Sequence, residues 1–358
     1  MSDTMKAMVT MGHGDLDQIV LHAEWPKPKP AAGEVLIRVK ACGLNNTDVN
    51  TRTGWYSKAV TDRTTGGAFE TVNDDDPTWG GAPITFPRIQ GADVCGVIEA
   101  VGEGVDANRI GERVITDNWL RDPTDPDDMD KTGYFGSECD GGFAEYTTIA
   151  ATNAVAITSE YSDAELATFS CSYSTAEGML TRANVTCADT VLVPGASGGV
   201  GGALVQLAKR RGARVIALAS AAKHADVAVL GPDRILPRAP DDLRAALGDE
   251  KITVVADIVG GDYWPNLIDI LERGGRYTCS GAIAGPMVGL DLRTFYLRDL
   301  TFTGSTIIPP EVTRNLVKYI EAGDIKPALA ATYPLEELRE AQAAFIRKEH
   351  TGNIVVVP

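Results

Sequence analysis

The sequence predicts an α/β protein of two parts, a mostly β domain and a doubly wound domain built on a parallel sheet. Three observations predict it. The 358 residues exceed what one compact core usually holds, and at about 150 residues per domain they make roughly two. Through the first 150 residues, short β-branched runs are punctuated by Gly and Pro. From about residue 155, short apolar runs alternate with segments of helical length, the pattern of parallel βαβ units.

In the first part, strands are expected at Glu34–Lys40, Val94–Val101 and Arg113–Thr116. Between Arg52 and Arg88 lie the turn signals TTGG, NDDDP and WGGAP, together with the aromatics Trp55, Tyr56, Phe69, Trp79 and Phe86. That mixture predicts a long, partly packed loop rather than a linker. A second polar stretch, Asp117–Gly142, contains DPTDPDD. Its like charges and prolines resist regular structure, so it reads as a solvated surface excursion. In the second part the strands are VLVP (191–194), RVIALA (214–219), RIL (234–236), ITVVADIV (252–259) and GRYTCSG (275–281). A parallel sheet is covered on both faces, so such near-continuous apolar runs are what it requires. The tail offers helices over Glu311–Ala322 and Leu335–Lys348 and a last strand over Gly352–Val357. No internal repeat of fixed period is visible.

Hydrophobic residues at 44%, charged residues at 23%, and 37 Gly against 19 Pro describe ordinary globular material. The balance of 33 Lys+Arg against 49 Asp+Glu gives −16, which repels phosphate backbones and anionic membrane surfaces and argues against both as partners. Much of that net charge sits in the NDDDP and DPTDPDDMD loops. No apolar run approaches the roughly 20 residues of a bilayer span, and the start, MSDTMKAMVT, lacks a signal-peptide core, so a cytoplasmic protein is expected. Cys42, Cys95, Cys139, Cys171, Cys187 and Cys279 are scattered without a CxxC pair, which suits buried thiols in a reducing compartment and disfavours a structural zinc.

VLVP runs straight into Gly195-Ala196-Ser197-Gly198-Gly199-Val200-Gly201, followed by a helical pattern with Val200, Leu204, Leu207 and Ala208 on one face and a KRRG ending. Glycines there permit a tight turn, close approach of backbone to a pyrophosphate, and packing of helix on strand, while the helix N-terminus supplies N–H donors. A lone glycine pattern is weak; set between a strand and a helix, with a second strand on schedule, it marks a dinucleotide site. At the end of that second strand stand Ser220 and Lys223, where a carboxylate would bond a free ribose 2′-hydroxyl. A hydroxyl and a cation suit a 2′-phosphate, so NADP(H) is expected over NAD(H). The competing reading leaves Ser220 as a helix cap and Lys223 in solvent.

The order of a β domain, a glycine-turn βαβ unit and a return segment ending in HTGNIVVV resembles the medium-chain dehydrogenase/reductase superfamily over essentially the whole chain. The resemblance rests on PAAGEVLIRVKACGLNNTD (30–48), GADVCGVIEAVGEGV (91–105), IGERV (110–114), DGGFAEYTTI (140–149), STAEGML (174–180), GASGGVGGALVQLAKRRGARVIA (195–217) and DIVGG (257–261). It implies a discontinuous GroES-like substrate domain, 1–154 with 306–358, around a Rossmann domain, 155–305. It also implies an active site in the cleft between them and a homodimer joined through an edge strand near Leu300–Gly304.

At the positions that hold catalytic zinc in the zinc-dependent branch, the chain has Asn45, Ala92 and Cys171. Only the last can ligate, and the four histidines, His13, His22, His224 and His350, are dispersed. No metal site is therefore expected. The chain resembles instead the zinc-independent quinone and enoyl reductases, in which NADPH delivers hydride to a conjugated C=C bond or a quinone and hydrogen bonds stabilise the activated oxygen. Tyr56, eleven positions after Asn45, matches the active-site tyrosine of that branch. It is either the proton donor or an aromatic that shapes the pocket. Asn45 and Thr47 are either donors to substrate and nicotinamide ribose or formers of a turn. Asp48 and Asp93 are expected as capping or supporting groups. Cofactor contacts are implied for Asn45, Thr175, Gly195, Ala196, Ser197, Gly198, Gly199, Val200, Gly201, Ser220, Lys223, Val259, Gly260, Ser280, Gly281 and Asn353. Two other readings stay open: an alcohol or aldehyde dehydrogenase that recruits zinc through atypical ligands, and a non-catalytic NADPH-binding sensor.

Overall fold

The structure is a computed structural model that describes residues 3–69, 72 and 83–358. Trp79, the NDDDP run and all of WGGAP except Pro83 lie outside the described residues. In chain order the first half contains β1 (Thr4–Thr10), β2 (Ile19–Pro26), β3 (Glu34–Gly43), α1 (Asn46–Thr53), β4 (Asp93–Val101), β5 (Arg113–Thr116), β6 (Trp119–Leu120), β7 (Gly133–Tyr134), β8 (Tyr146–Ala150) and β9 (Ala154–Ala156). There follow α2 (Asp163–Leu166), α3 (Ser170–Arg182), β10 (Thr190–Pro194), α4 (Gly199–Arg210), β11 (Arg214–Ala219), α5 (His224–Ala228), β12 (Arg234–Pro237), α6 (Leu243–Leu247), β13 (Ile252–Asp257), α7 (Trp264–Asp269), β14 (Leu271–Cys279), α8 (Leu292–Leu297) and β15 (Thr301–Gly304). The chain ends with α9 (Val312–Glu321), β16 (Leu329–Pro334), α10 (Leu338–Arg347) and β17 (Asn353–Val357).

The six strands β12-β11-β10-β13-β14-β15 form one parallel sheet in that order. Alternate residues of its strands serve opposite faces. Val191 and Val193 of β10 join Met179, Leu204, Leu207 and Leu316 under α3, α4 and α9. Leu192, between them, joins Leu243, Trp264 and Leu267 on the other side. This is the doubly wound Rossmann arrangement, and its strand order reverses between β10 and β13, the point at which such sheets open a crevice for ligand.

The other large sheet runs β16-β17-β3-β4-β5-β9, with β8 also on β3. Val355 and Val356 of β17 pair with Gly43 and Cys42 of β3, so the last strand of the chain returns to the first half. The two sheets meet where the glycine turn touches that return: Gly352 N–H donates to Ser197 O at 2.9 Å, and Gly198 bridges Gly352.

Two expectations need correction. The stretch 117–142 exposes its acidic middle together with Glu138 and Asp140, but not all of its length. Asn118, Trp119, Tyr134 and Phe135 at its two ends are buried, because those apolar rings remove more surface from water than the flanking charges require exposed. The thiols are not uniformly buried either: Cys187 is exposed on the turn before β10, and all six cysteines are free. Among the described residues no helix is long and apolar enough to cross a membrane.

Candidate active site in the interdomain cleft

The catalytic side of the cleft is organised by α1. Asp48 Oδ2 accepts the Asn45 N–H at 2.7 Å, closing the first turn as a capping group does. Gly54, at φ 75°, ends the helix in the left-handed conformation that glycine adopts without strain. The helix thereby places Asn45, Thr47 and Asn50 on the approach to Tyr56. Thr47 and Asn50 hydrogen-bond the Tyr56 phenol, and burial pushes its pKa above the ordinary phenol value despite them.

Behind Asn45 lies a buried carboxylate, Asp93, that is 0% exposed. Its Oδ2 accepts from Asn45 Nδ2 at 3.0 Å, and its Oδ1 accepts from Asn118 Nδ2 at 3.1 Å and from the Cys171 N–H at 2.6 Å. Burial raises the Asp93 pKa to about 6 against these bonds. Burial likewise raises Asp48 to about 7, with the Asp93 charge adding to it. Asn118 also donates to Tyr134 Oη at 3.3 Å, and the Tyr134 and Thr175 hydroxyls bond the Cys171 sulfur. Asn118, Asn50 and Tyr134 were not singled out from sequence. Only the WL…GYF aromatics flanking the acidic run could have signalled the buried strands that carry Asn118 and Tyr134.

These groups do not fit a catalytic zinc. Tetrahedral zinc needs three protein ligands and an open position. Asn45 is bonded to Asp93, Ala92 has no donor, and burial holds the Cys171 thiol far above its ordinary pKa, with Asp93 nearby acting in the same direction. A thiol kept protonated is a poor ligand. Among the described residues no group of three or more His, Cys, Asp or Glu side chains is placed to hold a metal ion.

On the cofactor side, the turn after β10 matches a dinucleotide. Gly195 sits at φ 67°, and a Cβ on Gly201 would stand 2.1 Å from Gly195 O, with no flexible side chain to yield. Gly198 caps α4, whose first N–H groups have no acceptor within the helix. Ala196 is buried and donates its N–H to Leu218 O at 3.2 Å, while Ser197 and Val200 are half-buried at the turn. A Cβ on Gly199 would strike Asn353 Oδ1 at 2.1 Å. Asn353 is itself buried, and its amide donates to Thr168 O and Ser172 Oγ at 3.1 and 3.2 Å. Its side chain thus ties the return strand to α3 beneath the turn.

Farther along the crevice, Asp257 Oδ1 and Oδ2 accept the N–H groups of Val259 and Gly260 at 2.7 and 3.2 Å, fixing the loop after β13. Ser280 and Gly281 follow β14 beside it, with the Ser280 N–H on Asp257 O at 3.3 Å. At the opposite end of the crevice, Ser220 makes no capping hydrogen bond. Lys223 is half-buried, and its ammonium donates to Lys348 O and His350 O, each at 2.6 Å. Burial lowers its pKa, and Arg238 adds to the lowering.

Fold and site set a Rossmann crevice with a glycine turn opposite the hydrogen-bonded helix α1. The alcohol dehydrogenase GroES-like domain family matches residues 31–159, and the zinc-binding dehydrogenase family matches residues 199–322. A solved structure of a putative alcohol dehydrogenase from Sinorhizobium meliloti is 45% identical and covers 100% of this chain and 98% of its own, with a TM-score of 0.90. An acryloyl-coenzyme A reductase of Metallosphaera sedula is 29% identical over 98% of this chain and 99% of its own length. A quinone oxidoreductase of Lama guanicoe is 26% identical over 99% and 97%. The chain belongs to the medium-chain dehydrogenase/reductase superfamily and is an oxidoreductase.

Proposed function

We propose that the protein is a zinc-independent, NADPH-dependent reductase acting on a conjugated C=C bond, in an enone or enoyl thioester, or on a quinone, with Tyr56 as proton donor. The observation that carries this reading is the Tyr56 phenol. Burial keeps it protonated, and Thr47 and Asn50 hold it near a carboxylate cluster bonded to its own neighbours. The acryloyl-coenzyme A reductase and quinone oxidoreductase relatives support the reaction class. In this reading residues 1–154 and 306–358 form the substrate domain and 155–305 the cofactor domain.

When bound, the nicotinamide supplies the hydride. The glycine turn and the N-terminus of α4 hold the pyrophosphate, and Thr175, the loop at Val259–Gly260 and Ser280–Gly281 border the nicotinamide half. As a C–H bond forms at the electron-poor carbon, the C=C electron pair moves toward the conjugated oxygen. Thr47, and the Asn45 amide hydrogen not used by Asp93, stabilise that oxygen. Tyr56 O–H then transfers the proton that completes the reduction.

Preference for NADPH is supported by Ser220 and Lys223 after β11 and by the exposed Arg238 after the neighbouring strand β12. Among the described residues neither Lys223 nor Arg238 forms an ion pair with a carboxylate. The expected result is a lower KM for NADPH than for NADH, with Lys223→Gln raising the NADPH value about 10-fold, the scale of one charge-assisted hydrogen bond, and sparing the NADH value. A preference for NADH overturns this. The reaction class is tested by following NADPH oxidation with quinones, enones, enoyl thioesters and aldehydes, with and without chelator, and identifying the product. Carbonyl reduction abolished by chelation would instead establish the zinc-dependent reading, and cofactor binding without turnover the sensor reading.

A second copy of the chain is the macromolecular partner this surface fits. β15 is the outermost strand of its sheet, and Met287, Leu292, Tyr296 and Leu297 beside it are 56–68% exposed, an apolar patch of the kind that marks an interface. Sedimentation velocity is expected to give twice the 38.0 kDa chain mass; a monomer at micromolar concentration contradicts the assignment.

A further inference from the structure

The segment that follows the catalytic helix does not run over the substrate domain as an ordinary surface loop. Trp55 Nε1 donates to Asp62 O at 2.9 Å, folding the chain back on itself. The Thr64 N–H then crosses the cleft and donates to Ile283 O at 3.1 Å. Ile283 lies in the loop after β14, which is laid on the loop after β13 by Ala284 N–H to Val259 O at 2.8 Å and Gly261 N–H to Gly285 O at 3.0 Å. In a doubly wound sheet each half takes one nucleotide at the carboxyl ends of its strands. The half with β13 and β14 lies away from Ser220 and Lys223, so it is the nicotinamide half.

On its other side the segment is fastened firmly. Arg52, at the end of α1, is 0% exposed. It donates to Gly66 O at 3.3 Å and to Gln342 Oε1 of α10 at 3.2 Å, and it also bonds Gly14 O. The Ala68 N–H donates to Asp15 Oδ1 at 2.7 Å, and a Cβ on Gly66 would stand 2.6 Å from the Ile346 side chain. One end is thus held by several bonds within the substrate domain, and among the described residues the crossing is made by the Thr64–Ile283 main-chain bond.

We propose that residues 57–69 form a strap that closes the nicotinamide end of the cleft, latched to the cofactor domain by the Thr64–Ile283 hydrogen bond, and that this latch retains the bound cofactor. The proposal rests on the crevice being a nicotinamide site and not on the choice of substrate. Thr64→Pro removes the N–H and fixes φ at this position. Thr64→Ala keeps the N–H, and the Thr64 hydroxyl it removes has no hydrogen-bond partner among the described residues. In rapid-mixing experiments with NADPH, Thr64→Pro is expected to speed cofactor dissociation about fivefold, the factor one ordinary hydrogen bond supplies, while Thr64→Ala keeps the wild-type rate. Equal rates for all three proteins overturn the proposal. Without ligand, hydrogen exchange over residues 280–285 should quicken in Thr64→Pro and not in Thr64→Ala; unchanged exchange in Thr64→Pro overturns the latch even if NADPH fails to bind. Should the proline variant not fold, wild-type exchange decides: NADPH must slow residues 57–66, and equal rates with and without it sink the idea.

Discussion

Tyr56→Phe is expected to lower kcat/KM for the best enone or quinone about 100-fold, the usual contribution of a positioned general acid. The phenol is well suited to the task, because burial raises its pKa and keeps the proton on oxygen through the neutral range. Phenylalanine preserves the ring, its edge-to-face contact with Trp55 at 5.6 Å and the path of the chain. What it removes is the transferable proton and the oxygen held by Thr47 and Asn50. Cofactor affinity should therefore stay within about twofold, which a misfolded pocket would not allow, and the loss should fall on kcat. A fall in kcat/KM below about threefold, under about 0.7 kcal/mol, would mean that Tyr56 only shapes the pocket.

The second large effect concerns Asp93. Asp93→Ala leaves the Asn45 amide, the Asn118 amide and the Cys171 N–H without their common acceptor. Each buried donor left unsatisfied costs about 1–3 kcal/mol, so denaturant unfolding should show a loss of at least about 3 kcal/mol. A loss under about 1 kcal/mol would show that the cluster can rearrange. Asp93→Asn separates shape from charge. Its folded pKa, about 6, lies above the ordinary carboxyl value of about 3.9. Between those values the unfolded chain has released the proton and the native state still holds it, so raising the pH favours the unfolded chain. The contribution of Asp93 is full at low pH and is lost as pH rises through about 6. Relative to wild type, Asp93→Asn should therefore gain stability between pH 4.5 and pH 7, as measured by urea unfolding at both; a gap that does not move with pH contradicts the assignment.

The Rossmann half was legible because its constraints are local. A strand, a turn that only glycine can make and an amphipathic helix occupy consecutive residues, so GASGGVG reads directly. Its strands fall within a few residues of their expected limits, as Arg214–Ala219 and Thr190–Pro194 show. The catalytic half was less legible because its contacts are distant in sequence. Asn45 meets Asp93 48 residues on, and Cys171 brings its N–H from 78 residues beyond Asp93. Tyr134 and Asn118 stand at the ends of a run whose average composition is acidic, and an average conceals two buried side chains at its margins. Lys223 shows the same limit at the cofactor end: sequence supplies the cation, and folding decides that two backbone carbonyls share it.

Sequence by itself therefore determined the α/β class, the glycine turn after β10 and the superfamily. Periodicity, glycine geometry and residue identity are properties of short segments. The tertiary structure alone decided that Asp93 gathers three donors and that Thr64 reaches Ile283 across the cleft. Such contacts join segments whose encounter is set by packing of the whole chain, and no local pattern encodes them.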